Sequence, residues 1–168
     1  TPSPLFVLRR AFSLRSVPRT APCLLSADRS YRLWVNGRLA SRGPDDIGMD
    51  YHRVQNDRWL VDVRDLAPYL VRGRNVVSVE VFADPLIGWE GSRGRGGLLF
   101  ELRAGDVVVR SAPSWKARPA RHWSRERGHW EFDPADPAAA AHDPAFDDSA
   151  WSSAVALPDR WQPRVLSE

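Results

Sequence analysis

Hydrolysis of a glycosidic bond needs two carboxyl groups at a defined separation, one protonating the leaving oxygen and one attacking or activating water. This chain has two adjacent acidic pairs, Asp45-Asp46 and Asp147-Asp148. Neighbours in sequence point in different directions, so neither pair is itself an acid and its partner. In Phe146-Asp147-Asp148-Ser149-Ala150-Trp151 an Asp is better placed to accept turn N–H groups while Phe146 and Trp151 pack inward. His52, His122, His129 and His142 show no metal-ligand spacing. No metal is expected, with calcium the one cation to weigh. Loop carboxylates suit it, and Asp45, Asp46 and Asp50 are its candidate ligands. Ser92 lacks the strand-to-helix elbow of an exposed nucleophile. Gly91 to Gly97 is glycine-rich but has no Gly-Lys-Ser/Thr ending and introduces a strand, so it cradles no phosphate. No catalytic set converges.

The loop aromatics carry the functional signal. Sugars present apolar C–H faces that stack on exposed rings, while nearby polar groups bond the hydroxyls. Trp89 with Glu90 lies in a glycine-rich loop, Trp59 stands beside Asn56 and Asp57, and Tyr51 and Asp45 share another long loop. These five (Trp89, Glu90, Trp59, Asp45 and Tyr51) are the candidate ligand-binding residues. Trp123 and Trp130 flank Arg125-Glu126-Arg127-Gly128 further on. The competing role for each ring is to cover a sandwich edge or to dock on a neighbouring domain. Trp34, Trp115 and Trp151 sit in strand or capping motifs and are expected to be structural.

The elements that position these loops read as short strands. Tyr31, Leu33 and Val35 alternate with Arg32 and Trp34, and Asn36-Gly37 supplies a hairpin turn with positive φ. Strands are expected over Leu5–Leu14, Cys23–Ala27, Arg38–Ala40, Trp59–Arg64, Val76–Phe82, Leu98–Arg103, Val107–Arg110 and Ser114–Lys116. Asp65 is placed to cap a single helical turn that holds Pro68 near its start. Residues 41–56 and 84–97 make long loops, of a length uncommon without a function of its own. Residues 118–168 read as an irregular wrap. The pattern predicts an all-β, antiparallel jelly-roll sandwich formed by residues 1–168 as one domain.

Five segments in order resemble the N-terminal β-sandwich domain of bacterial α-L-rhamnosidases, of the galactose-binding-like group. They are Tyr-Arg-Leu-Trp-Val-Asn-Gly at 31–37, Arg-Gly-Pro at 42–44, Asp-Leu-Ala-Pro-Tyr-Leu-Val-Arg-Gly-Arg-Asn-Val-Val at 65–77, Ser-Trp-Lys at 114–116 and Phe-Asp-Asp-Ser-Ala-Trp at 146–151. The resemblance implies a non-catalytic, carbohydrate-associated accessory domain that binds sugar or buttresses a catalytic domain of the same parent chain. It implies inverting hydrolysis of terminal L-rhamnose, with acid and base in a separate α/α-barrel outside these residues. The alternatives are a purely structural interdomain module, or a glycan-binding domain of another hydrolase or lectin-like protein.

Composition bounds the size of the domain and argues against other partners. The chain has 168 residues, enough for one domain with a core, and carries eight Trp and six Phe. Its net charge is +3 with the Arg residues scattered among acids, so no basic stripe points to nucleic acid. Lys116 is the only lysine, an Arg bias of the kind high-GC bacterial genes carry. No apolar run approaches the roughly 20 residues that span a bilayer. Cys23 is the only cysteine and reads as a small buried hydrophobe, which leaves the compartment open.

Overall fold

Alternation of apolar and polar residues builds most of the architecture, because side chains of a strand point to opposite faces in turn. A computed structural model of the chain describes residues 5–27, 30–43, 61–82, 97–120, 123–126, 129–135 and 137–156. Its strands are β1 (Leu5–Leu14), β2 (Pro22–Ala27), β3 (Ser30–Val35), β4 (Arg38–Gly43), β5 (Asp62–Asp65), β6 (Gly73–Phe82), β7 (Leu98–Ala104), β8 (Val107–Arg110), β9 (Lys116–Pro119), β10 (Trp123–Glu126), β11 (His129–Phe132) and β12 (Ser152–Ser153). A six-stranded sheet has the order β12-β9-β1-β6-β3-β4, a four-stranded sheet the order β5-β2-β7-β8, and β10-β11 pair by themselves. Every pairing is antiparallel. The expected antiparallel sandwich is what forms.

The core lies between the two larger sheets. Leu8, Leu33, Val35, Val77, Val79 and Val81 come from one, and Cys23, Leu25, Phe100, Leu102 and Val109 from the other. Trp115 is fully buried in the same core, edge-on to Phe100, with its indole N–H donating to Arg110 O at 2.7 Å. On the opposite face of the six-stranded sheet, Leu5 and Val7 meet Ala120, Ala141 and Trp151, so the C-terminal segment covers that face.

Two turns of the recognised motif lock each other. Asn36 and Gly37 hold φ of 51° and 79°, as the hairpin requires. The Asn36 side chain donates to Asn75 Oδ1 at 2.8 Å and to Tyr69 O, and accepts from Val76 N. Asn75, itself buried, also accepts from Val71 N and donates to Val71 O and Gly73 O. The spacing of Asn36 and Asn75 in the sequence therefore has a physical cause. Asp65 Oδ1 accepts from Ala67 N and Ala21 N, tying the 3-10 turn Ala67–Tyr69 to the segment before β2.

Several boundaries differ from the sequence expectation. β4 runs on to Gly43, three residues past Ala40, because a register shift at Leu33/Trp34 re-aligns it with β3. The strand after Trp115 is Lys116–Pro119 rather than Ser114–Lys116, since Trp115 is held in a turn by its N–H bond to Ala112 O. Residues 118–168 are not uniformly irregular. They contain the β10–β11 hairpin, a 3-10 turn at Pro137–Ala140 and the short β12.

Candidate functional site

The register of the strands gathers one end of the sandwich into a platform for its long connections. β4 ends at Gly43, which pairs with Tyr31 at the start of β3. β6 ends at Phe82, opposite Leu5 and Ser30. β7 begins at Leu98, opposite Ala27, while β9 ends at Pro119, opposite Phe6. β5 begins at Asp62, whose Oδ2 accepts the Tyr31 hydroxyl at 2.6 Å across the two sheets. The chain between Gly43 and Asp62, the chain between Phe82 and Leu98, and the β10–β11 hairpin after Pro119 thus all start from one end. Of the expected ligand-binding residues, Asp45, Tyr51 and Trp59 belong to the first stretch, and Trp89 and Glu90 to the second. All five lie outside the described residues, as do the calcium candidates Asp45, Asp46 and Asp50. Among the described residues no group of three His, Cys, Asp or Glu is placed to hold a metal ion.

The platform is braced by polar contacts. Burial and the bond to Asp62 push the Tyr31 phenol well above the usual tyrosine range. Arg64 Nε donates to Ser41 Oγ at 3.1 Å, and its Nη2 lies 3.8 Å from Asp62 Oδ1. Gly43 is needed here because a Cβ would overlap the Asp62 carboxylate and the Tyr31 ring.

A second cluster lies on the covered face of the six-stranded sheet, and single-sequence reasoning does not find it. Ser78 Oγ and His142 Nδ1 are 3.0 Å apart, and His142 Nε2 and Glu80 Oε1 are 3.1 Å apart. Trp34 stacks on the His142 ring at 3.6 Å and 9°. Ser, His and carboxylate in contact are the parts of a nucleophilic relay. Ser78 is only 1% exposed, however, so no substrate reaches its Oγ. The neighbouring Arg9 shows what the cluster does. Fully buried, it donates to Ala141 O (3.0 Å), Asp143 O (2.8 Å) and Pro144 O (3.3 Å) and pairs with Asp148 at 2.5 Å. The cluster is a clamp that holds residues 141–148 against the sheet. Asp147 takes the turn role expected of this motif: its Oδ1 accepts Ser149 N, which keeps its carboxyl below the usual aspartate range. Phe146 and Trp151 pack edge to face at 5.5 Å, and Trp34, Trp115 and Trp151 are structural as expected.

With the fold in hand, likeness to known proteins is informative. The sandwich superposes on a GH78-family rhamnosidase of Bacillus sp. GL1 with a TM-score of 0.79, at 24% identity over 96% of this chain and 18% of that one. This is the fold of an α-L-rhamnosidase domain. An α-L-rhamnosidase from Dictyoglumus thermophilum gives a TM-score of 0.71 at 22% identity, over 92% of this chain and 18% of its own. A Pleurotus ostreatus lectin in complex with GalNAc gives 0.57 at 15% identity, over 99% of this chain and 42% of the lectin. At these identities the likeness is one of fold. The chain spans less than a fifth of the length of either rhamnosidase. No family model and no curated protein sequence matches it.

Proposed function

We propose that this chain is a non-catalytic, carbohydrate-associated domain of an α-L-rhamnosidase-like glycoside hydrolase, and that it receives sugar at the loop end of the sandwich. The observation that carries this reading is the common origin of the two long connections, whose sequences hold Asp45, Tyr51, Trp59, Trp89 and Glu90. Aromatic rings with acidic neighbours at one end of a rigid platform are what a sugar ring and its hydroxyls require. The likeness to rhamnosidase domains and to a GalNAc-bound lectin supports a carbohydrate partner and a galactose-binding-like site. The whole of residues 1–168 then acts as one domain beside a catalytic domain of the parent chain.

Titration of intrinsic tryptophan fluorescence with L-rhamnose and with galactose, each with and without calcium, tests it. A saturable change is expected, and Trp89→Ala should abolish it while the far-UV spectrum is retained. Absence of a response to any sugar in the folded chain refutes the binding role.

One observation favours a second reading, the interdomain brace. Val63 and Leu24 are direct cross-strand partners on the outer face of the four-stranded sheet, 62% and 37% exposed. Burial of that pair against a neighbouring domain predicts that Val63→Ser leaves sugar binding unchanged but weakens attachment of a separately produced catalytic domain.

A further inference from the structure

The hairpin turn between β3 and β4 carries a reactive peptide unit. Asparagine is among the thermolabile side chains, and the residue after it governs how readily it reacts. Glycine, with no Cβ and a permissive backbone, lets its own N reach the Asn Cγ most freely. Asn36-Gly37 is the only Asn-Gly pair in the chain, the other asparagines, Asn56 and Asn75, being followed by Asp57 and Val76. In the reaction Gly37 N bonds to Asn36 Cγ, and the side-chain nitrogen leaves as ammonia with the proton that Gly37 N gives up. The product is a five-membered succinimide. Water then opens that ring at either carbonyl, giving aspartate or isoaspartate.

The fold holds this reaction off. Ring closure needs Gly37 N on the same side of the Asn36 Cα–C bond as the side chain. Asn36 has a φ of 51°. In that left-handed region ψ is about +47°, which turns the following N nearly opposite to Cβ. Bringing the two together takes most of a half turn about Cα–C, and that would swing Gly37 and Arg38 away from β3. The amide is fixed as well. Its Nδ2 donates to Asn75 Oδ1 at 2.8 Å and to Tyr69 O at 2.9 Å, and its Oδ1 accepts from Val76 N at 2.9 Å. Both N–H groups of the leaving nitrogen are therefore tied. The backbone N–H of Asn36 donates to Val76 O at 2.9 Å, so main chain and side chain are held by the same strand. On the other side, Pro144 Cδ and His142 O stand 3.5 and 3.6 Å from where a Cβ on Gly37 would be, so the clamped segment hems in the rotation. Neither product fits this setting. Aspartate sets carboxylate oxygens against Asn75 Oδ1 and Tyr69 O, acceptor facing acceptor, and isoaspartate lengthens the main chain within the turn.

We propose that Asn36 is a self-modification site gated by the fold. It deamidates only in chains whose β3–β4 turn has opened, and the product cannot rebuild that turn, so a transient opening becomes permanent. The test follows Asn36 by peptide mapping and mass spectrometry, in the full chain held in mildly alkaline buffer across a series of guanidinium chloride concentrations. Below the unfolding transition the reaction should run at least about a hundredfold slower than in the unfolded chain, because the reactive state is reached only by opening. Through the transition the rate should climb in step with the unfolded fraction. In buffer alone, Asn75→Ala, which removes one partner of the amide, should speed the reaction about tenfold or more. Should that variant fail to fold, the denaturant series on the unaltered chain still decides. Deamidated chains separated by ion exchange should melt below the parent, and Asn36→Asp should reproduce the shift of the aspartate product. Deamidation of the folded chain at the unfolded rate, a rate flat through the transition, or a folded Asn75→Ala chain that reacts no faster than the parent overturns the gate. Deamidated chains that refold and melt with the parent overturn its permanence.

Discussion

Removing Asp148 tests the clamp most directly. Arg9 is fully buried, whereas the Asp148 side chain keeps 23% of its surface. Breaking a fully buried ion pair by deleting one partner costs about 3–5 kcal/mol, because the other charge is left uncompensated; exposed pairs cost about 0–1. In Asp148→Ala, Arg9 keeps its bonds to the carbonyls of Ala141, Asp143 and Pro144, and the lost carboxylate was partly wet. The expected loss is therefore about 2–3 kcal/mol, a factor of roughly 30–150 in the folded population and a large share of a typical domain's stability. Arg9→Met should cost at least as much, since three carbonyls lose their donor. With Arg9 gone, deleting Asp148 should cost less than about 0.5 kcal/mol, the size of an ordinary surface change. The coupling between the two sites is then about 2 kcal/mol, read from urea unfolding of the two single variants and the double. An Asp148→Ala protein within about 0.5 kcal/mol of the parent, or a coupling near zero, would refute the clamp.

Three further outcomes follow from the same geometry. Asn75→Ala removes four side-chain bonds, one from Asn36 in the β3–β4 turn and three within the turn before β6, so it should lose roughly 3 kcal/mol or more by urea unfolding; a loss under about 1 kcal/mol would mean that water replaces the amide. Cys23 is fully buried, and burial pushes its thiol up to about 12, so Ellman's reagent should label it only as fast as the domain opens; rapid labelling of the folded chain would contradict the core assignment. For Glu101 the folded pKa is depressed by its bonds to Arg103 and Arg110, so its stabilisation is present above the ordinary glutamate value and is lost as pH falls through the lower folded value. Glu101→Gln should thus melt earlier than the parent at neutral pH and together with it in strong acid, and a constant difference across that range would show that the charge is not the cause.

How much of this was legible beforehand depended on the reach of each interaction. β3 follows from alternation, because burying one face of a strand writes a period of two into neighbouring residues, whereas β1 alternates imperfectly and β6 is buried on both faces. Asn36-Gly37 was equally readable, since positive φ restricts the residue type locally. The clamp was not readable. Arg9 and Asp148 are 139 positions apart, and Ser78 and His142 are 64 apart, and nothing at either end of such a pair marks its partner. Arg9 in Leu-Arg-Arg-Ala reads as a break in alternation, whereas it occupies the outward position that the C-terminal segment covers. The β10–β11 hairpin was masked by composition: Arg, His and Trp dominate it, and Gly128 between two short runs was the only turn signal available. The expected sugar-binding residues lie outside the described residues, and only the strand ends that anchor their loops follow from the alternation.

The polar groups of the sandwich divide by task, and that division is what makes the functional reading testable. Asn36 and Asn75 fasten two turns, Tyr31 with Asp62 fastens the two sheets, and Arg9, Ser78 and Glu80 fasten the C-terminal segment. Each is engaged, and all but the half-buried Asn36 are buried, so substitution there registers as lost stability whether or not the protein ever meets a sugar. The strand ends that anchor the long connections carry the recognition reading instead, and Trp89→Ala is its test: under that reading it moves sugar affinity while the melting temperature stays nearly fixed. A domain that served only as a brace would show no such separation.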